Sequence, residues 1–140
     1  MRPLHPRTFL WLATLLASVC LGCGGSTRPL PPTLTDAQIT ERLVGKWQET
    51  GDAGGLVSNE FTKEGKYRSE GVEKRPHGET KFVITASWKV AGGMLTYTIE
   101  SSKPAFFKPG ETLEEKVLSI DGREFKYRDV NGKVQTMERQ

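Results

Sequence analysis

Beyond residue 45 the apolar residues recur at every second position, and the segments between such runs are too short to hold a helix. In residues 81–90, Phe82, Ile84, Ala86, Trp88 and Val90 face one way, while Lys81, Thr85, Ser87 and Lys89 face the other. Val83 is the one apolar exception. This alternation marks a half-buried strand. Leu95, Tyr97 and Ile99 alternate with Thr96, Thr98 and Glu100 in a second strand, and Ala91, Gly92 and Gly93 join the two as a hairpin. Residues 113–120, 124–129 and 133–139 read as three more strands, separated by Asp121-Gly122 and Asn131-Gly132. In 113–120 the apolar phase moves from odd (Leu113, Val117) to even (Leu118, Ile120), which predicts a bulge. Residues 46–50, 56–62 and 66–73 complete a set of about eight strands. With no link long enough for a parallel crossover, the chain is predicted to be all-β, an antiparallel up-and-down meander. A flat sheet would expose an apolar face and two edges, so a small barrel or half-barrel is expected.

One short helix precedes the strands. Thr35 and Gln38 have the capping-box spacing, Leu34 and Ile39 flank the cap as a staple, and Asp36 suits the positive end of the helix dipole. Ile39 and Leu43 share a face, and Gly45 suits the C-terminal end. A helix of about two turns does not stand alone, so it must pack on the sheet.

The N-terminus carries a different signal. Arg2 and Arg7 precede an uncharged, mostly apolar run at residues 9–19, too short to span a bilayer. This is the pattern of a secretory signal peptide over residues 1–22. The run ends in Gly22-Cys23, which resembles the lipobox of bacterial lipoproteins. The resemblance implies cleavage before Cys23 and lipid attachment to it. It also implies export and membrane anchoring, with the outer membrane favoured in a Gram-negative cell because Gly24 rather than Asp follows. Cleavage removes Cys20 and leaves one of the two cysteines, so no internal disulfide forms; a Cys-x-x-Cys metal or redox site lacks a second ligand pair. Residues 24–34 carry Pro29, Pro31 and Pro32 and form a tether of at most ~35–40 Å. Residues 35–140 form one domain.

A short helix, then Gly45-x-Trp47 on the first strand, then an eight-strand meander resembles the lipocalin-like (calycin) architecture of small bacterial lipoproteins. Residues 60–67 (Glu-Phe-Thr-Lys-Glu-Gly-Lys-Tyr) and 86–95 are hairpin phrases similar to theirs. The resemblance implies that Trp47 packs across a closed barrel end beneath an arginine of a late strand, Arg139 or Arg128.

The candidate chemistry is thin. His77 sits in a Pro-Gly turn, with no second histidine in the mature chain and no cysteine to join it, so no metal centre or cofactor is expected. No serine has an evident histidine partner. Glu114 and Glu115 are adjacent on a strand and point to opposite faces. Removing Arg2 and Arg7 lowers the formal charge from +3 to +1, and no basic stripe exists, which argues against a nucleic-acid partner. A non-enzymatic role follows. Phe106 and Phe107, between Lys103 and Lys108, lie in the longest inter-strand connection, residues 101–111. Either one phenylalanine seals the barrel mouth, or the pair touches a ligand, partner or lipid. Two functions compete: binding of a small apolar ligand by Phe82, Ile84, Trp88, Tyr97, Phe106 and Phe107, or a structural or protein-interaction role, with an envelope protein as partner and the barrel filled by its own side chains.

Overall fold

The computed structural model describes residues 33–51 and 54–140. The expected signal peptide (1–22), Cys23 and the tether up to residue 32 lie outside the described residues. Helix α1 (Asp36–Leu43) is followed by β1 (Gly45–Thr50), β2 (Leu56–Phe61), β3 (Lys66–Arg75), β4 (Gly78–Ala91), β5 (Met94–Lys103), β6 (Thr112–Ile120), β7 (Glu124–Arg128) and β8 (Val134–Arg139). Each strand pairs antiparallel with the next, and β8 returns to β1, closing a barrel. The all-β meander expected from the alternation is therefore a full barrel rather than a half-barrel.

Strand alternation fills the interior with one face of every strand. Trp47, Phe61, Ala86, Trp88, Leu95, Tyr97, Ile99, Phe125, Tyr127 and Met137 are all buried. The α1 end of the barrel is shut. Thr35 caps the helix through the Gln38 amide, and Gln38 Oε1 reaches back to the Thr35 amide at 3.0 Å. Ile39 and Leu43 are buried against the core, with Leu34 beside them. Asp36 also accepts from the amides of Gly92 and Gly93 at 2.7 and 2.9 Å, which fastens the helix to the β4–β5 hairpin. The helix stops at Leu43, Val44 is its cap, and Gly45 already belongs to β1.

Trp47 has no exposed surface, and its indole N–H donates to the Leu43 carbonyl at 2.7 Å. The Arg139 guanidinium lies 4.2 Å from the centroid of its ring. The same guanidinium donates to the carbonyls of Val44 and Arg42, and through Nε to Gly122 at 3.1 Å. Arg128, the other candidate, instead donates to the Gly132 carbonyl. Gly45 has φ +132°, a conformation that favours glycine, and a Cβ there would lie 2.6 Å from Arg139 Nη1, so a side chain at this position would also displace the guanidinium.

Four sequence expectations shift. The β3–β4 hairpin runs on to an Arg75–Gly78 pair, leaving Pro76 and His77 as its turn. β5 continues to Lys103, because a register shift opposite Thr85 and Ala86 absorbs Glu100 and pairing then resumes. The connection thereby shrinks from 101–111 to 104–111. The expected β6 bulge is present between Val117 and Ser119, but Leu118 is the extruded residue, 41% exposed, while Val117 and Ile120 keep the inward phase. Asp121 and Asn131 lie in longer turns than two residues: Asp121 Oδ1 accepts from Arg123 and Glu124, and these backbone bonds hold its carboxyl below the usual value.

Trp47→Ala would remove a fully buried ring together with the seat of Arg139. Urea unfolding is expected to show a loss of about 3–5 kcal/mol; a variant that unfolds with the native protein contradicts the placement of β1.

Candidate functional site

The loops β1–β2, β3–β4, β5–β6 and β7–β8 gather at the end opposite α1. There the barrel opens into a cavity of about 500 Å³. Its wall comes from inward positions near the open ends of β2 and β4, Val57, Phe82 and Ile84, together with Phe106 and Phe107 from the loop. Glu49 lines its base, and Glu73 and Arg75 stand at the rim on the last residues of β3. Gly71 makes room for the wall: a Cβ there would lie 3.1 Å from the Phe82 ring and 2.8 Å from the Leu56 carbonyl.

The two phenylalanines have separate positions. Phe107 is half-buried and packs against the core. Phe106 is 39% exposed and meets Phe82 edge-on, with ring centroids 6.3 Å apart and the Arg75 guanidinium 5.7 Å above it. Their loop is pinned rather than loose. The Phe106 amide donates to the Pro104 carbonyl at 2.8 Å, Ser102 Oγ bonds the same carbonyl, and the Gly110 amide returns to the Ile99 carbonyl at 2.8 Å.

Four of the six expected ligand residues, Phe82, Ile84, Phe106 and Phe107, therefore share this cavity. Trp88 and Tyr97 do not. Trp88 is buried toward the closed end, where its indole N–H donates to the Lys66 carbonyl and its ring meets Phe61 at 90°. The Tyr97 ring packs against Tyr67 and Phe61. Both sit further along their strands toward α1 than the mouth, a depth that period-two alternation alone does not reveal.

Between the carbon-filled end and the mouth lies a polar layer that the sequence reading missed. Glu49 Oε1 accepts from Asn59 Nδ2 at 3.1 Å, and Glu49 Oε2 accepts from the Tyr127 hydroxyl at 2.8 Å. The Tyr67 hydroxyl donates to Asn59 Oδ1 at 2.6 Å, and the Tyr97 hydroxyl donates to Glu115 at 3.0 Å. Asn59 is wholly buried, and no buried side-chain nitrogen or oxygen among the described residues lacks a partner. The signal was available. Glu49 lies two residues after Trp47, and Glu115 two after Leu113, so strand parity sends both inward. Glu114 points out, as expected, and Glu115 finds its carboxylate neighbour across the barrel instead.

Burial pushes the phenols of Tyr67, Tyr97 and Tyr127 well above the usual tyrosine range, so each remains a donor. The Glu115 carboxyl is pushed up to about 8, mainly by burial; the Tyr97 hydrogen bond opposes this, and the charges of Glu49 and Asp129 add to it. Among the described residues no group of three or more His, Cys, Asp or Glu is arranged to hold a metal ion.

No protein-family model matches the sequence, and no curated protein does. Among solved structures, the crystal structure of an uncharacterised protein from Bacteroides eggerthii DSM 20697 matches 70% of this chain and 99% of its own, with 15% identity and a TM-score of 0.49.

The raised Glu115 carboxyl has a measurable consequence. Its ordinary value is 4.5, so between 4.5 and about 8 the folded chain holds a proton that the unfolded chain releases. Stability from this group is complete below the lower value and is lost as pH rises toward the upper one, by at most about 1.4 kcal/mol per pH unit. Thermal melts across this window are expected to fall for the native protein and to flatten for Glu115→Gln; parallel curves would contradict the placement of Glu115.

Proposed function

We propose that this chain is a membrane-anchored cell-envelope binding module, without catalytic activity, that takes a small and largely apolar ligand into the open end of its barrel. The observation that carries this reading is the mouth cavity. Its volume of about 500 Å³ falls within the ~300–1,000 Å³ usual for small-molecule sites, and its wall is mostly aromatic and aliphatic. A purely structural barrel would be filled along its whole length. Here the side chains fill the end under α1 and leave the other end open.

Anchoring rests on the resemblance of Gly22-Cys23 to a lipobox. Acyl chains on Cys23, each buried CH₂ worth about 0.8 kcal/mol, would hold the chain at a membrane, and a tether of residues 24–34 would carry the barrel clear of the head groups. Gly24 favours the outer membrane in a Gram-negative cell. Nothing in the charge pattern calls for a nucleic-acid partner or a cofactor.

Two experiments test the reading. Cys23→Ser is expected to move the protein from the membrane fraction to the soluble fraction, and unchanged fractionation contradicts the anchor. The mature chain, produced from residue 23 with Cys23→Ser, is expected to bind the neutral apolar fluorophore N-phenyl-1-naphthylamine. The double variant Phe106→Ser, Phe107→Ser should weaken that binding about tenfold or more while the barrel still melts cooperatively. A native chain that leaves the fluorophore in water, or a folded double variant with undiminished affinity, contradicts the site.

A further inference from the structure

We infer that Gly71 sets the bulk of the ligand that the mouth cavity takes. It is the socket for the Phe82 ring, and by holding that ring against β3 it opens the site to a fused-ring ligand rather than to a single alkyl chain alone. This rests on the binding reading above and adds the residue that determines specificity and the shape class of the ligand.

Gly71 lies within β3, at an inward position by the same parity as Tyr67 and Ser69. It pairs with Val57 on β2 and with Phe82 on β4, and both of these line the cavity. Along the inner face of β3 the side chains shrink toward the mouth, from the phenol of Tyr67 to the hydroxymethyl of Ser69 to nothing at Gly71. Glycine weakens a strand interior, and where it stands there it often marks the close approach of another group. Turn geometry does not account for this one. Gly71 is paired on both sides, and its φ lies outside the left-handed region.

The group that approaches is the Phe82 ring. A Cβ on Gly71 would lie 3.1 Å from Phe82 Cζ and 3.2 Å from Phe82 Cε1, so the tip of the ring takes the space that a side chain would fill. On its other side the same Cβ would lie 2.8 Å from the Leu56 carbonyl oxygen, which belongs to the backbone of β2. A methyl at position 71 is thus caught between a carbonyl fixed in the sheet and a ring that turns about χ1 and χ2. The ring is what gives way, away from β3 and toward Phe106, whose ring centroid is 6.3 Å off. Both rings line the cavity, so this movement narrows it. A flexible alkyl chain threads a narrowed slot, whereas a rigid fused ring is refused. Exclusion of this kind is a difference between ligands and shows as specificity. The plainer alternative is that Gly71 only lets β2 and β3 come together at Leu56. Substitution would then cost stability and treat all ligands alike, whatever stands at position 82.

The test is a calorimetric titration of the mature chain, produced from residue 23 with Cys23→Ser, using 2-naphthol and 1-octanol, neutral alcohols that differ in width. The chain with Gly71 intact is expected to bind both. Gly71→Ala should weaken 2-naphthol about tenfold or more and 1-octanol less than about threefold. In a Phe82→Leu background, where no ring occupies the socket, Gly71→Ala should change both affinities by the same factor. Equal losses in the Gly71→Ala chain, or a selective loss that persists with Phe82→Leu, would overturn the socket and leave the apolar-ligand reading in place. Binding of 1-octanol alone by the chain with Gly71 intact would overturn the ligand class, and binding of neither alcohol would overturn both readings. Where Gly71→Ala fails to fold, nuclear Overhauser contacts in the chain with Gly71 intact decide the matter. The Phe82 ring protons should keep their contacts with the Gly71 α-protons at saturation with 2-naphthol, and absence of those contacts would overturn the assignment.

Discussion

The barrel depends on how Arg139 is held. β1 and β8 pair at only two positions, Trp47 with Arg139 and Gln48 with Glu138, whereas β3 and β4 pair at ten. Toward the mouth the seam parts, and Gln48, Glu49 and Thr136 border a gap of about 190 Å³. A seam this short has few ladder bonds to resist opening, and an open seam would present two free edges. The Arg139 side chain compensates. From β8 it covers the Trp47 ring on β1 and donates to carbonyls of α1, of Val44 and of the β6–β7 loop. A cation over tryptophan contributes about 0.5–2 kcal/mol, and the hydrogen bonds to three backbone carbonyls add to it. One guanidinium thus joins first strand, last strand, helix and loop.

That closure divides the interior into three levels. Under the helix the space is filled by carbon, with Phe61, Tyr67, Trp88 and Tyr97 in edge or tilted ring contacts and Phe125 stacked on Tyr127. Above it the hydroxyls of those same tyrosines turn to Asn59, Glu49 and Glu115. Each tyrosine spans two levels, its ring in the core and its hydroxyl in the polar layer. Above that layer the wall is apolar again but incompletely filled. The polar layer is a satisfied network rather than a defect, since burying a polar group without a partner would cost several kcal/mol. It also gives the cavity a hydrogen-bonded base where a lipid-like core would have had only carbon.

Much of this was legible from residue order. Alternation located all eight strands, the Thr35–Gln38 spacing gave the helix start, and the phase change at residues 117–118 gave the bulge. Arg139 over Trp47 was one of two alternatives, and only the register of β8 against β1 selects it over Arg128. What stayed hidden concerns depth and strand offset. Parity states that Trp88, Tyr97, Phe82 and Ile84 all face inward, but the shear of the barrel decides which lie under the helix and which at the mouth. Glu49 and Glu115 were hidden for another reason. Inward carboxylates run against expectation for a core, and only the positions of Asn59 and three tyrosines on other strands make them affordable. Leu118 failed because a bulge moves one residue out of phase, and hydropathy alone did not identify which.

The helix cap, the filled end and the mouth all depend on β8 closing onto β1 beneath Arg139. Inter-strand nuclear Overhauser contacts in solution measure it directly. Closure requires backbone contacts between Trp47 and Arg139 and between Gln48 and Glu138, with the Gln140 amide protected by its bond to the Lys46 carbonyl. Absence of these contacts, with β1 and β8 amides exchanging as free edges while the other strand pairs remain intact, would contradict it.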